Sequence, residues 1–508
     1  MLTEKDIKQI EDYGLSLQEV YQQLETFKRG IPYADVVTTA SVGNGIKQIK
    51  EAEQKKLVAL YERKMDALDI VKFVPASGAA TRMFKFLHEF LEAYDPELML
   101  FREYVKKTNS EQLHQFFAST SEFAFVNSVR KKIRERFTDY KKSQKGLRHY
   151  YFAKAMLDKE GLAFGAMPKG LIPFHKYNKY ATTAFEEQLY EAAYYAAVND
   201  DVYLHFTFSE KHLPFFKQEF DAVKKRVSRN TKKKFHISYS FQNKTSDTIA
   251  VTPDNKPFRD AKNKLVFRPS GHGALLKNLN DVNADIVFIK NIDNVAAQEY
   301  VKEIAAYKKL LAGKLLQLQS KIFTYLRVLE KDTTLDKVKE IQSFIWNELE
   351  VRELPGGIEA IKDFLNRPIR VCGVVQNTGA PGGGPFWVKD DDDNSSLQIV
   401  EKSQIDLSDL HQETIINEAT HFNPVDLVCG LRDFKGNKFD LMNYANPNSG
   451  FISDKTEGGK PIKALELPGL WNGGMANWIT VFVEVPIITF NPVKTVNDLL
   501  KKEHRPNA

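Results

Sequence analysis

Two lysines stand far apart in the chain, each in a proline-stiffened setting. Lys169 lies in Met167-Pro168-Lys169-Gly170, and Lys494 in Asn491-Pro492-Val493-Lys494-Thr495. Asp293 stands just past the apolar run 285–291, within Asn291-Ile292-Asp293-Asn294, and a small-residue loop, Ser77-Gly78-Ala79-Ala80-Thr81-Arg82, follows another apolar run. Each residue type has a use. Small residues let backbone N–H groups approach phosphate oxygens, and a helix start behind them favours negative charge. Arg82 can add a charge-assisted contact to a triphosphate. A lysine can neutralise charge that builds on a phosphorus under attack. A carboxylate at the end of a strand can hold Mg²⁺ against phosphate oxygens. The set points to a nucleoside-triphosphate site with a divalent metal, and so to nucleotidyl transfer onto a sugar phosphate. Replacing Lys169 is then expected to cost turnover with little change in stability.

Other segments bear on the ligand. Gly271-His272-Gly273 precedes a helical pattern; glycines there permit close approach to a base or ribose, and a capped helix start would read the same. Glu401 closes the strand-like Leu397-Gln398-Ile399-Val400 and can accept from sugar hydroxyls, or simply face solvent. Gly379 to Gly384 is a flexible loop, equally a lid or a linker. Asp390 to Asp393 lacks the spacing of a calcium loop and reads as a solvated turn.

The elements that must position these residues follow from apolar periodicity. Strand patterns fall at 70–75, 202–208, 235–241, 285–291, 369–375 and 478–485, and helical patterns separate the first three of them, which predicts a mostly parallel sheet. Residues 1–68 read as a helical N-terminal extension, 84–160 and 296–365 as helical insertions in a domain spanning 69–495, and 496–508 as a tail. A length of 508 residues exceeds what one core usually serves. The net charge of +6 is small for that length and does not argue for nucleic acid. Two cysteines in apolar runs read as buried thiols. No apolar stretch is long enough to span a bilayer and no secretory leader is visible, so a cytoplasmic protein without membrane partners is expected. Oligomeric state is not legible.

The order of the motifs is more specific than any one of them. The chain resembles the sugar-phosphate nucleotidyltransferases, especially UDP-sugar pyrophosphorylases. Their Gly-Gly-x-Gly-Thr-Arg/Ser-Met loop is similar to Ser77-Gly78-Ala79-Ala80-Thr81-Arg82-Met83, their Pro-Lys to Pro168-Lys169, and their Gly-His-Gly segment to Gly271-His272-Gly273. Asp293-Asn294, Ile399-Val400-Glu401 and Pro492-Val493-Lys494-Thr495 resemble the metal, sugar and closing segments. The chain also resembles a bacterial family of about this length known only as a domain of unknown function. The resemblance implies a GT-A-like Rossmannoid core and Mg²⁺ as cofactor, with UTP as the favoured donor and a sugar 1-phosphate as acceptor. It implies Ser77, Gly78, Ala79, Ala80, Thr81, Gly271, His272 and Gly273 on the nucleotide. Arg82, Lys169 and Lys494 would act on phosphates, Glu401 on the sugar and Asp293 on the metal. The sequence departs from the pattern at Ala80, where a glycine is expected, and in the long gap between Met83 and Lys169, which makes Lys85 a rival lysine. A second metal ligand is not placed, although Asn472 to Asn477 is polar enough to supply one. Loss of catalysis with retained nucleotide-sugar binding, and a glycosyltransferase on the same fold, are the alternatives; the latter would use Asp391 and Asp393.

Overall fold

The computed structural model describes residues 2–78, 80–242, 244–331, 333–379, 383–390, 393–422 and 426–506. Ala79, Gly382 and Asp391, named above, lie outside them, as does the side chain of His272. The chain forms two compact units, each discontinuous in sequence. The first comprises Met1–Phe73, Ser240–Ile289 and Lys308–Pro486; the second comprises Val74–Tyr239, Lys290–Tyr307 and Ile487–Ala508.

The first unit is built on a mixed, mostly parallel sheet. Its strands run in the order Ser41–Val42, Gly45–Lys47, Ile479–Glu484, Ile369–Gln376, Asp426–Gly430, Ile286–Lys290 and Ile70–Pro75. The first four pair in parallel, as do the last two, while Asp426–Gly430 runs antiparallel to Ile369–Gln376. These strands are near-continuous Val, Ile and Phe, the composition of strands covered on both faces. The core gathers Phe73, Val287, Ile289, Cys372, Val374 and Phe482 with Leu275, Leu279, Trp387 and Leu397. Both cysteines are buried and free. A small antiparallel sheet, Val36–Thr39, Gly384–Lys389 and Ser395–Val400, lies in the same unit. The expected all-helical stretch 1–68 therefore also contains three short strands. Their runs of two to four residues are too short to carry a period-2 signal.

The second unit holds the helices expected at 84–160. Five of them, from Lys85–Ala93 to Lys145–Leu157, pack Phe90, Phe101, Phe116, Phe117 and Phe152 edge-on. Strand Asp201–Phe208 is flanked by Ala197–Val198 and Lys234–Phe241. The hairpin to Ala197–Val198 turns through Asn199 and Asp200, both at positive φ (48° and 72°), as a two-residue turn between twisted strands requires. Helix Ala184–Tyr195 starts at Thr183, whose hydroxyl accepts from Glu186 N–H at 3.2 Å, and is buried along its whole length apart from Tyr194.

Candidate functional site

Residue chemistry is most concentrated in the second unit, and its scaffold is helix Ala184–Tyr195. Four polar side chains on this buried helix each have a specific partner. Glu186 takes a two-pronged ion pair from Arg226, Nε to Oε1 at 2.8 Å and Nη2 to Oε2 at 2.6 Å. Burial nevertheless pushes its carboxyl up to about 7. Glu187 Oε1 receives Thr182 at 2.5 Å, Tyr177 at 2.9 Å and His175 Nδ1 at 2.8 Å. His175 Nε2 in turn meets His504 Nδ1 at 2.9 Å. Burial, then the neighbouring His175, holds His504 well below the usual imidazole range. Gln188 Nε2 donates to the carbonyls of Asn291 at 2.9 Å and Ile292 at 3.2 Å. Glu191 Oε2 accepts from Lys290 Nζ at 2.7 Å in a fully buried pair. Buried polar groups need partners, and here the bonds of Gln188 and Glu191 fix Lys290, Asn291 and Ile292, the three residues that lead into Asp293.

Asp293 is held from its other side by Lys169. Lys169 Nζ donates to Asp293 Oδ2 at 2.8 Å and to the Val493 carbonyl at 2.9 Å. Three backbone bonds complete the junction. Lys169 N–H donates to Gly78 O at 3.1 Å, Val493 N–H to Asp293 O at 3.2 Å, and Val496 N–H to Met83 O at 3.0 Å. The turn carrying Lys169 fits only because Gly170 has no side chain, since a Cβ there would lie 2.9 Å from Ile292 Cγ1. Lys494 sits in a turn stapled by Asp498, whose Oδ2 accepts the N–H groups of Lys494 at 2.9 Å and Thr495 at 2.7 Å. The side chains of Arg82 and Lys494 are exposed and have no ion pair or hydrogen bond among the described residues. Four segments distant in sequence thus meet around a neutralised lysine–aspartate pair, with two unpaired cations on the flanking segments. The arrangement can attract and hold an anion.

The small-residue loop differs from expectation. No α-helix N-terminus follows it directly; a 3₁₀ turn, Ala80–Arg82, intervenes, and the helix begins at Lys85. Ala80 is buried and its N–H donates to Met167 O at 3.0 Å, so that donor is already spent. Thr81 Oγ1 donates to Gly165 O at 3.0 Å. Ser77 is half-buried and Gly78 exposed. The rival Lys85 is exposed and pairs along its own helix with Glu89 at 3.6 Å.

The remaining expected residues lie in the first unit. Gly271 (φ 74°) and Gly273 pack against the segment after strand Lys460–Glu466. A Cβ on Gly271 would meet Glu466 Oε2 at 2.9 Å, and one on Gly273 the Pro468 carbonyl at 2.7 Å. Both glycines therefore have a packing reason in this unit. Glu401 caps the turn Lys402–Gln404: its side chain accepts from Gln404 N–H, and its own N–H donates to Gln404 Oε1 at 3.0 Å. Asn472 is buried and donates to that same Oε1 at 2.7 Å. Asp393 pairs with Lys389 at 2.9 Å.

The fit of a metal is decided by donor chemistry. Among the described residues no group of three or more His, Cys, Asp or Glu side chains could hold an ion. Asp293 offers one carboxylate, with one oxygen engaged by Lys169. That set suits Mg²⁺ held by a single carboxylate together with phosphate oxygens and water, and does not suit an all-protein cage.

The sequence marks the start of this helix at Thr182-Thr183-Ala184-Phe185-Glu186-Glu187, and what escaped the reading is its part in setting Asp293. The signal for that part is Ala184-Phe185-Glu186-Glu187-Gln188-Leu189-Tyr190-Glu191-Ala192-Ala193, four polar residues in a run whose remaining positions are apolar on every face. A helix apolar on every side is a buried one, so acids within it need buried partners.

Fold and site together define a mixed α/β protein whose second unit carries a lysine–aspartate pair at a strand end. A family model described as a domain of unknown function (DUF4301) matches residues 3–505, and the chain belongs to that family. A comparison with curated proteins finds no match. Among solved structures, the chain is similar to uridine diphosphate N-acetylglucosamine pyrophosphorylase from Trypanosoma brucei in complex with an inhibitor, at 11% identity and TM-score 0.49 over 95% of this chain and 74% of that one. It is also similar to a mutant UDP-glucose pyrophosphorylase from Leishmania major in complex with UDP-glucose, at 13% identity and TM-score 0.46 over 99% and 78%. Among the described residues no helix is long and apolar enough to cross a membrane.

Proposed function

We propose that this chain transfers a nucleotidyl group from a nucleoside triphosphate, with UTP favoured, to a sugar 1-phosphate and releases pyrophosphate. The observation that supports this most is the meeting of Lys169, Asp293 and the Val493-Lys494 segment, with Arg82 on an adjoining strap. An oxygen of the acceptor phosphate attacks the α-phosphorus in line. The bond from that phosphorus to the bridging oxygen breaks, and pyrophosphate leaves with the electron pair. No covalent enzyme intermediate is needed, so positioning and charge neutralisation supply the rate. Lys169 acts by exchanging partners: it leaves Asp293 Oδ2 for a triphosphate oxygen, which frees that carboxylate oxygen. Mg²⁺, when bound there, supplies charge neutralisation across the phosphates. Arg82 and Lys494 draw in the anionic donor and acceptor. The implied nucleotide contacts of Gly271, His272 and Gly273, and the sugar contact of Glu401, belong to this reading and are tested by their own substitutions.

Pyrophosphate release is the test, measured with Mg²⁺ over a panel of triphosphates paired with sugar 1-phosphates. Release that requires both partners, and that falls by orders of magnitude in Lys494→Ala, is the expected result. One observation favours a second reading. The N–H of Ala80 is bonded to Met167 and is not available to a phosphate, as in a protein that binds a nucleotide sugar without turning it over. Nucleotide binding with no release from any pair would overturn transfer in favour of that reading.

A further inference from the structure

Strand Lys234–Phe241 pairs with Asp201–Phe208 and with no other strand among the described residues. Along 234–239 its side chains alternate: Lys234, His236 and Ser238 are exposed, while Phe235, Ile237 and Tyr239 are half-buried. Tyr239 packs on Phe208 with ring centroids 5.5 Å apart, and His236 stacks on Tyr203 at 4.7 Å. A strand paired on one side only presents a row of N–H and C=O groups that another extended chain can complete.

The start of this strand and helix Leu213–Thr231 enclose a groove of about 410 Å³, lined by Phe220, Lys224, Lys225, Ser228, Lys234 and Phe235. Phe220, Lys224 and Ser228 are four apart and so share one helix face. The two phenylalanines are half-buried and give the groove an apolar floor; the lysines form its rim. Side chains that alternate along an added strand would meet this groove on one face.

Charge narrows the partner. From 222 to 240 the chain has seven Lys or Arg and no Asp or Glu. Three of the seven are already paired, Lys224 with Asp221, Arg226 with Glu186 and Lys233 with Asp200. The side chains of Lys225, Arg229, Lys232 and Lys234 are exposed and make no ion pair or hydrogen bond among the described residues. Pairing of this edge with the same edge of a second copy would bring two such clusters together against their repulsion, and lysine at an edge is a common guard against self-pairing. An acidic strand removes that repulsion. A nucleic acid would be drawn by the same charges but has no row of amides to complete the edge.

We infer that this edge docks an extended acidic segment of a partner protein, added as a further strand beside 234–239. Its apolar side chains cover Phe220 and Phe235, and its carboxylates meet Lys225, Arg229, Lys232 and Lys234. The docking uses none of Lys169, Asp293 and Lys494, so it stands or falls apart from the transfer reading.

The test uses the full chain and the synthetic peptide Glu-Phe-Glu-Val-Asp-Phe-Glu-Thr carrying a fluorophore, read by anisotropy. Comparison probes are the same peptide with proline in place of its Phe and Val, which cannot add to a strand edge, and oligo(dT). The acidic peptide is expected to bind and to slow amide hydrogen exchange at 234–239. The double variant Lys225→Gln/Lys234→Gln, at two exposed positions, is expected to weaken binding by about tenfold or more without moving the melting temperature. The inference is overturned if the peptide does not bind at about 1 mM, or if the double variant binds it as the parent does. Equal binding of the proline peptide would overturn it in favour of charge attraction without strand addition. Tighter binding of oligo(dT) would make the surface one for nucleic acid, and a dimer of the free chain that protects 234–239 would make a second copy the occupant; either result also overturns it.

Discussion

Replacing Lys169 by methionine removes a charge from a site where each partner keeps little contact with water: the side chains of Lys169 and Asp293 are 12% and 11% exposed. Breaking a buried pair by deleting one partner costs ~3–5 kcal/mol, because the other charge is left uncompensated. The residual exposure places this pair near the lower bound, about 3 kcal/mol. The Val493 carbonyl loses its donor in the same step. For a folding unit of roughly 200 residues, 1 kcal/mol shifts the melting temperature by about 2–4 °C, so the variant is expected to melt about 6–12 °C lower. Asp293→Asn added to Lys169→Met removes the stranded charge and is expected to restore about 1–2 kcal/mol, a coupling that a double-mutant cycle by urea denaturation measures directly. Hydrogen exchange should show the loss concentrated in the segment 487–500. A single-variant cost under about 1 kcal/mol, or additivity within about 0.5 kcal/mol, would refute the claim that this pair ties the C-terminal segment down. The sequence reading expected turnover loss with little change in stability; on the proposed function the ion pair would couple the two.

Three further outcomes follow from the same geometry. Lys494→Ala, at an exposed and unpaired side chain, should leave the urea midpoint within about 0.5 kcal/mol of the parent while abolishing most pyrophosphate release. A midpoint shift as large as that of Lys169→Met would place Lys494 in the packing instead. Gly170→Ala should destabilise by about 1–3 kcal/mol, because its Cβ enters the space of Ile292; an unchanged midpoint would show that the turn has slack. His149 packs flat on Phe117 at 4.3 Å between ring centroids, and burial lowers its pKa to about 4. The unfolded chain takes up that proton near pH 6.5, so stability present above pH 6.5 is lost as pH falls towards 4. Half-burial limits the loss to about 1–2 kcal/mol. His149→Phe should flatten the profile, and parallel profiles for variant and parent would contradict this assignment.

The fold was legible where one signal dominated. Strands at 70–75, 369–375 and 478–485 are runs of branched and aromatic residues, and each lies within a residue of its observed bounds. The short strands before Lys47 were not legible, because their pairing partners lie hundreds of residues away, as in Val36 opposite Val388. At the site, residue type marked Lys169 and Asp293, but not their direct bond, which joins positions 124 apart. The small-residue loop is ambiguous in one respect. Its composition suits phosphate binding and equally suits a tight strap, and Ala80 N–H bonded to Met167 O shows the strap.

Helix Ala184–Tyr195 explains why stability and chemistry separate at some positions and not at others. Its carboxylates and amide are buried and bonded to specific partners, so each is costly to remove whatever the protein binds. They hold Lys290, Asn291 and Ile292, and through them Asp293 is presented in one orientation. Lys169 then belongs to both sets, since it completes the buried network and is the cation that a phosphate would claim. On the proposed reading Arg82 and Lys494 belong only to the second set. A ligand that draws Lys169 away from Asp293 must therefore replace the interactions it breaks, and an anion of several charges brought in with a divalent cation can do so where a neutral molecule cannot. On this argument triphosphate and Mg²⁺ together should raise the melting temperature more than the sum of each alone, because either one by itself leaves one member of the pair unpaired.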